Sequence, residues 1–152
     1  MTKPLNEFGG YLVFFRISNF VFFIISLVSV PLLLLAVVRT IAENMPTATS
    51  ALIFSLSLTI SSILIFKMLK VLKIQESFVP KKIVNFIFLL TIFSISFSLL
   101  NFVSKFLFLG FNQETAMETS KQMINSIVWF LIWRSYFKKS KRVLAYYGKN
   151  AS

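Results

Sequence analysis

Two arginines and five lysines are the residues of this chain whose types and positions could do chemistry. Arg16 and Arg134 sit at the edges of apolar runs, and Lys67, Lys70, Lys73, Lys81 and Lys82 cluster between two such runs. The chemistry they offer is capture of an anion. A guanidinium grips phosphate or carboxylate through two parallel hydrogen bonds, whereas an ammonium supplies charge without that geometry. Catalysis has far less to draw on. The chain has no Cys and no His, which excludes thiolate nucleophiles, thiolate metal sites, disulfides and the commonest proton shuttle. No motif pairs a Ser with a credible base. The expectation is a protein that is not an enzyme and uses no cofactor or metal.

The elements that must position these cations are membrane helices. Hydrophobic residues make up 57% of the 152 and charged residues 14%, where soluble domains average about 45–50% and about 25%. Residues 17–38 form a run of 22 without a charge, long enough for about 33 Å of helix and so for the hydrocarbon core. The second run, from 51 to 66, continues past Lys67, and a third occupies 83–103. The fourth, residues 123–137, covers only about 22 Å. A crossing there must recruit residues 121–140 and draw Arg134 below the membrane surface. The expected architecture is therefore all-α, a single polytopic domain over 1–152 with four transmembrane helices near 17–38, 51–67, 83–103 and 121–140. The polar opening, with Lys3, Glu7 and a Gly9-Gly10 hinge, is expected at the membrane surface. Residues 106–111, FLFLGF, are expected to lie in the interface or fold back at Gly110. Thr47, Thr49 and Ser50 are candidate caps for the second helix, and Thr115 with Glu118 or Thr119 with Gln122 fit a capping box for the fourth.

Four crossings divide the charge unevenly. Thirteen basic residues and two acids fall on the side of the termini and the 67–82 segment, against three of each on the other. The positive-inside rule then makes both termini cytoplasmic. In a soluble protein a net charge of +11 would suggest nucleic acid. Here the cations flank apolar runs, so the expected partners are the bilayer and anionic phospholipid, with another membrane protein possible and nucleic acid not. Lys67, Lys70 and Lys73 recur every third residue on one helical arc, suited to snorkelling into headgroups.

Polar residues inside the runs form stripes. Ser55, Thr59 and Ser62 follow i, i+4, i+7, and Thr91, Ser94, Ser98 and Asn101 follow i, i+3, i+7, i+10. Such faces pack helix on helix in lipid, with a polar ligand groove as the alternative. No Asp or Glu lies within the runs, which weighs against a coupled transporter. Trp129, Trp133, Tyr136, Tyr146 and Tyr147 read as an interfacial aromatic belt.

Gly9-Gly10-Tyr11-Leu12 at the start, with Trp133, Tyr136-Phe137, Ser140-Lys141-Arg142-Val143 and Tyr146-Tyr147 near the end, resembles an uncharacterised bacterial family of small four-helix membrane proteins. That family is catalogued as a domain of unknown function. Its members open on a Gly-Gly-Trp-Leu-like segment and close on a Trp-x-x-Tyr-Phe-x-x-Ser-x-Arg-Val-like one. Tyr11 stands where that pattern has Trp. The resemblance implies a multi-pass protein of the bacterial inner membrane and no activity. Three functions follow as expectations: binding of a membrane partner or anionic lipid through a basic cytoplasmic face, a small transporter or channel component, or an immunity-type protein against a pore-forming toxin.

Overall fold

A computed structural model of the protein describes residues 9–151; Lys3 and Glu7, with the surface placement expected for them, lie outside the described residues. The chain is all-helical. Four long helices, α1 (Tyr11–Thr40), α2 (Met45–Val71), α3 (Val79–Leu109) and α4 (Gln113–Lys139), are followed by a short α5 (Lys141–Tyr147). The connections at 41–44, 72–78 and 110–112 are short enough that each helix turns back beside the last. Accordingly α1 packs on α2, α2 on α3, and α3 on α4.

Three of these helices, α1 to α3, are long and apolar enough to cross a membrane. Only 6% of the most apolar stretch of α1 is buried within the protein. Phe20, Ile24, Leu27, Val28 and Leu35 are exposed along it, an apolar surface far beyond what a soluble protein leaves to water. Lipid is a solvent in which such a surface is stable. α4 carries Glu114, Glu118 and Lys121 in its first three turns and is less apolar.

The helix ends differ from expectation in two places. α2 and α4 are capped by Asn44 and Asn112, whose side chains accept from Thr47 N and from Glu114 N and Thr115 N. The threonines expected to cap lie inside the helices, where Thr49 and Thr119 donate back to the Met45 and Thr115 carbonyls. Asn is the stronger cap, and a Thr already inside a turn satisfies itself this way. Residues 106–109 likewise neither lie apart nor fold back: α3 continues through them to Leu109. Nothing interrupts its hydrogen bonding until Gly110, whose φ of 77° ends the helix while its N–H bonds the Phe106 carbonyl. That left-handed conformation favours Gly.

The core lies at one end of the bundle. Leu12 and Phe15 of α1, Ile65 and Met68 of α2, Ile83 and Ile87 of α3, and Trp133 and Phe137 of α4 form a buried cluster. Val143, Tyr147 and Ala151 complete it. The tail thus folds under the bundle instead of trailing as free charge. Tyr147 Oη donates to Leu72 O at 3.2 Å, Gln75 Nε2 to Tyr146 O at 3.0 Å, and Ala151 N to Phe137 O at 3.0 Å. Burial raises the Tyr147 pKa well above the ordinary phenol value, which keeps that hydroxyl a donor. The start of α1, the 72–78 loop and the tail consequently share one end, the closed end. Gly10 precedes α1 there with φ 57°, and a Cβ on it would lie 3.4 Å from Arg142 Nε. The start of α1 and the tail therefore touch each other.

Candidate functional site

The expected cations surround the closed end. Lys67, Lys70, Lys73, Lys81 and Lys82 are all exposed, on α2, on the 72–78 loop and on the first turn of α3. Lys70 Nζ lies 4.3 Å from the centroid of Phe66 and Lys82 Nζ 5.7 Å from that of Phe78, cation–π contacts that place each charge over a ring while both side chains stay exposed. Pro80 sits in the first turn of α3, where its missing N–H costs nothing, so Lys81 and Lys82 enter the helix directly. Lys138, Lys139, Lys141 and Lys149 are exposed on the same end.

Arg16 and Arg134 immediately follow the buried residues Phe15 and Trp133, so each is turned about 100° away from the α1–α4 contact. Both are exposed. Rings make that contact: Phe15 lies 4.4 Å from Trp133 and 5.4 Å from Phe137, and Tyr11 lies 5.9 Å from Tyr136. The Arg134 guanidinium rests 5.7 Å from the centroid of Phe130, on its own helix. Trp133 and Tyr147, read as members of an interfacial belt, are instead buried at 4% and 3% exposure. Tails packed under a bundle give aromatic rings a dry protein partner, which an isolated span lacks.

The polar stripes separate into two kinds. On α3, Ser94 Oγ meets Ser126 Oγ at 2.8 Å and Ser98 Oγ donates to Gln122 Oε1 at 3.2 Å. With Phe88 against Phe130 at 5.6 Å, these pairs run in opposite directions along the two chains and set α3 and α4 antiparallel at common depth. Thr91, Ser55, Thr59 and Ser62 donate to carbonyls of their own helices instead. Ser55, Ser62 and Thr91 are buried and Thr59 is exposed. Asn101 Oδ1 is sealed from the surface with no partner among the described residues.

Beyond the closed end the helices enclose a cleft of about 450 Å³ whose walls include Ser18, Asn19, Thr91, Asn125, Ser126 and Trp129. A second cavity of about 310 Å³, bounded by α2, α3 and α4, shares Ser94, Asn125 and Ser126 with it and reaches Asn101 and Gln122. The α4 wall of the two spaces together, Gln122, Asn125, Ser126 and Trp129, follows i, i+3, i+4, i+7. The same periodicity that marks the α3 stripe marks this one in the sequence. No family model, no curated protein and no solved structure matches the chain.

Proposed function

We propose that the chain is a four-span protein of the bacterial inner membrane that acts by binding, with both termini cytoplasmic and the closed end presenting its cations to anionic phospholipid or to an acidic membrane partner. The observation that carries this reading is the coincidence of the one packed end with the exposed lysines of α2, the 72–78 loop and α3. A rigid end holds the charges in fixed relation, so binding spends little conformational entropy on arranging them. The side-by-side register of α3 and α4 supports the fourth crossing. Ser126 and Gln122 lie at the depth of Ser94 and Ser98, in the middle of a helix able to span. The charged first turns of α4 then reach the outer surface, and Arg134 lies just within the inner boundary.

The test is lipid retention. Each lysine near an anionic leaflet contributes up to about 1 kcal/mol. Protein extracted in mild detergent is expected to retain phosphatidylglycerol over phosphatidylethanolamine. Replacing all five lysines, Lys67, Lys70, Lys73, Lys81 and Lys82, by Gln should lower that preference by an order of magnitude or more, and added salt should erode it in the wild type. Arg134→Lys keeps the charge and removes the planar fork, so it weakens retention where the guanidinium makes two bonds to a phosphate. Equal retention of both lipids by wild type and quintuple variant would refute the proposal.

A further inference from the structure

The cleft is the feature that lysine-based binding leaves unused. We infer that it is a binding site for an uncharged polyhydroxyl group, a glycosyl or polyol moiety, admitted through the gap between α1 and α4.

Three observations lead there. First, the residues lining the 450 Å³ cleft and the 310 Å³ cavity joined to it include no Asp, Glu, Lys or Arg. A charged ligand would lose its hydration without a counter-charge, and the space is far too wide to coordinate a single bare cation. Its size falls in the range of small-molecule sites, about 300–1,000 Å³.

Second, the walls offer uncharged hydrogen-bonding groups of both kinds, since the amides of Asn125, Asn101 and Gln122 carry donors as well as an acceptor. Thr91 donates its only hydroxyl proton to Ile87 O, which leaves its oxygen to accept, whereas Ser126 donates to Gln122 O and its oxygen is already met by Ser94. Asn19 is 7% exposed and already donates through Nδ2 to Phe15 O at 2.7 Å, so its amide oxygen remains for the cleft. Asn101 Oδ1, in the adjoining cavity, is buried and unpartnered among the described residues. A polar group left so at membrane depth is costly. Hydroxyl groups, which both donate and accept, are the complement of such a wall. Trp129, 41% exposed and standing edge-on to Trp133, adds a flat apolar face of the kind that receives the C–H side of a sugar ring.

Third, the site is floored and open to one side. One helical turn from Asn19 and Trp129, on the closed-end side of the site, Phe15 and Trp133 are in ring contact at 4.4 Å. α1 packs closely on α2 and α4 on α3, but α1 does not pack closely on α4, so the cleft that both of them line can admit a lipid headgroup between them while its acyl chains stay in the bilayer.

The experiment uses the full chain in nanodiscs of phosphatidylcholine, with the fluorescence of its two tryptophans as the readout. Monoglucosyl diacylglycerol is expected to give a saturable change that diacylglycerol does not. Asn125→Leu, at an exposed position that leaves the core untouched, and Asn19→Leu should each weaken the response about tenfold. Competition by methyl glucoside would assign the site to free sugars, and absence of competition would assign it to the lipid headgroup. The Lys67, Lys70, Lys73, Lys81 and Lys82 quintuple Gln variant should respond as wild type, which separates this site from the basic end. Equal responses to monoglucosyl diacylglycerol and diacylglycerol, or an unchanged response in Asn125→Leu, would overturn the inference.

Discussion

Ending the chain at Ser140 is expected to destabilise the detergent-solubilised protein by on the order of 5 kcal/mol. The figure follows from what the tail buries. Val143 is fully buried, Tyr147 is 3% exposed and Ala151 4%. Removing a buried aromatic costs about 3–5 kcal/mol and a buried valine about 1.5–3 kcal/mol, before partial collapse of the space they leave. The Leu72 carbonyl also loses the Tyr147 hydroxyl. Thermal unfolding of full-length and truncated protein in the same micelle measures the difference. Lys141→Ala and Lys149→Ala, both at exposed positions, should each stay within about 0.5 kcal/mol of wild type. That contrast separates a packing role from the loss of positive charge. Matching unfolding of truncated and full-length chains would mean that the tail is topogenic charge alone. Tyr147→Phe isolates the hydrogen bond and should cost about 1 kcal/mol.

Trp133 carries the second large effect, with a division that depends on the replacement. Its ring stands against Phe15 at 4.4 Å, Trp129 at 5.5 Å and Tyr136 at 5.7 Å, joining α4 to α1 where the bundle closes. Trp133→Ala should cost about 3–5 kcal/mol through the cavity it leaves. The indole Nε1, however, is buried with no hydrogen-bond partner among the described residues, and an unmade bond there is a standing penalty of about 1–3 kcal/mol. Trp133→Phe removes that donor and keeps an aromatic ring, so it should lie within about 1 kcal/mol of wild type. Equilibrium unfolding in mixed micelles reads both variants. If Phe proves as damaging as Ala, the indole nitrogen has a partner and the packing account of this contact is wrong.

Lipid-facing helices are legible because their signal is compositional: an uncharged run such as 17–38 needs no partner to be recognised. The α3 stripe was legible for a related reason, since Ser94 and Ser98 share a face whatever lies opposite. What lies opposite was not. Ser126 and Gln122 fall in a run whose short apolar length makes Arg134 its most prominent feature and leaves its polar face inconspicuous. The extension of α3 to Leu109 was missed because Gly110 ends a helix and permits a reversal equally well, and only the backbone distinguishes them. α5 was hidden for a different reason. Val143 and Tyr147 stand four residues apart on one helical face, but seven residues are too few to form a helix without a surface to pack on. That surface, built from Leu12, Met68, Leu72 and Val79, comes from three separate parts of the chain. The interfacial reading of Trp133 and Tyr147 failed with it, because an amphipathic ring suits a headgroup region and a dry contact alike until its neighbours are known.

Sidedness of the closed end is the claim on which the proposed function rests, and the absence of native cysteine makes it directly measurable. Ser77→Cys in the 72–78 loop and Ala145→Cys in α5 probe the closed end; Ala42→Cys and Gln113→Cys probe the opposite one, and all four positions are exposed. A membrane-impermeant maleimide applied to intact spheroplasts should label Ala42→Cys and Gln113→Cys, and should reach Ser77→Cys and Ala145→Cys only after the membrane is opened. Labelling of Ala145→Cys from outside would show that α4 does not cross, and labelling of Ser77→Cys from outside would reverse the orientation and remove the basic end from the anionic cytoplasmic leaflet.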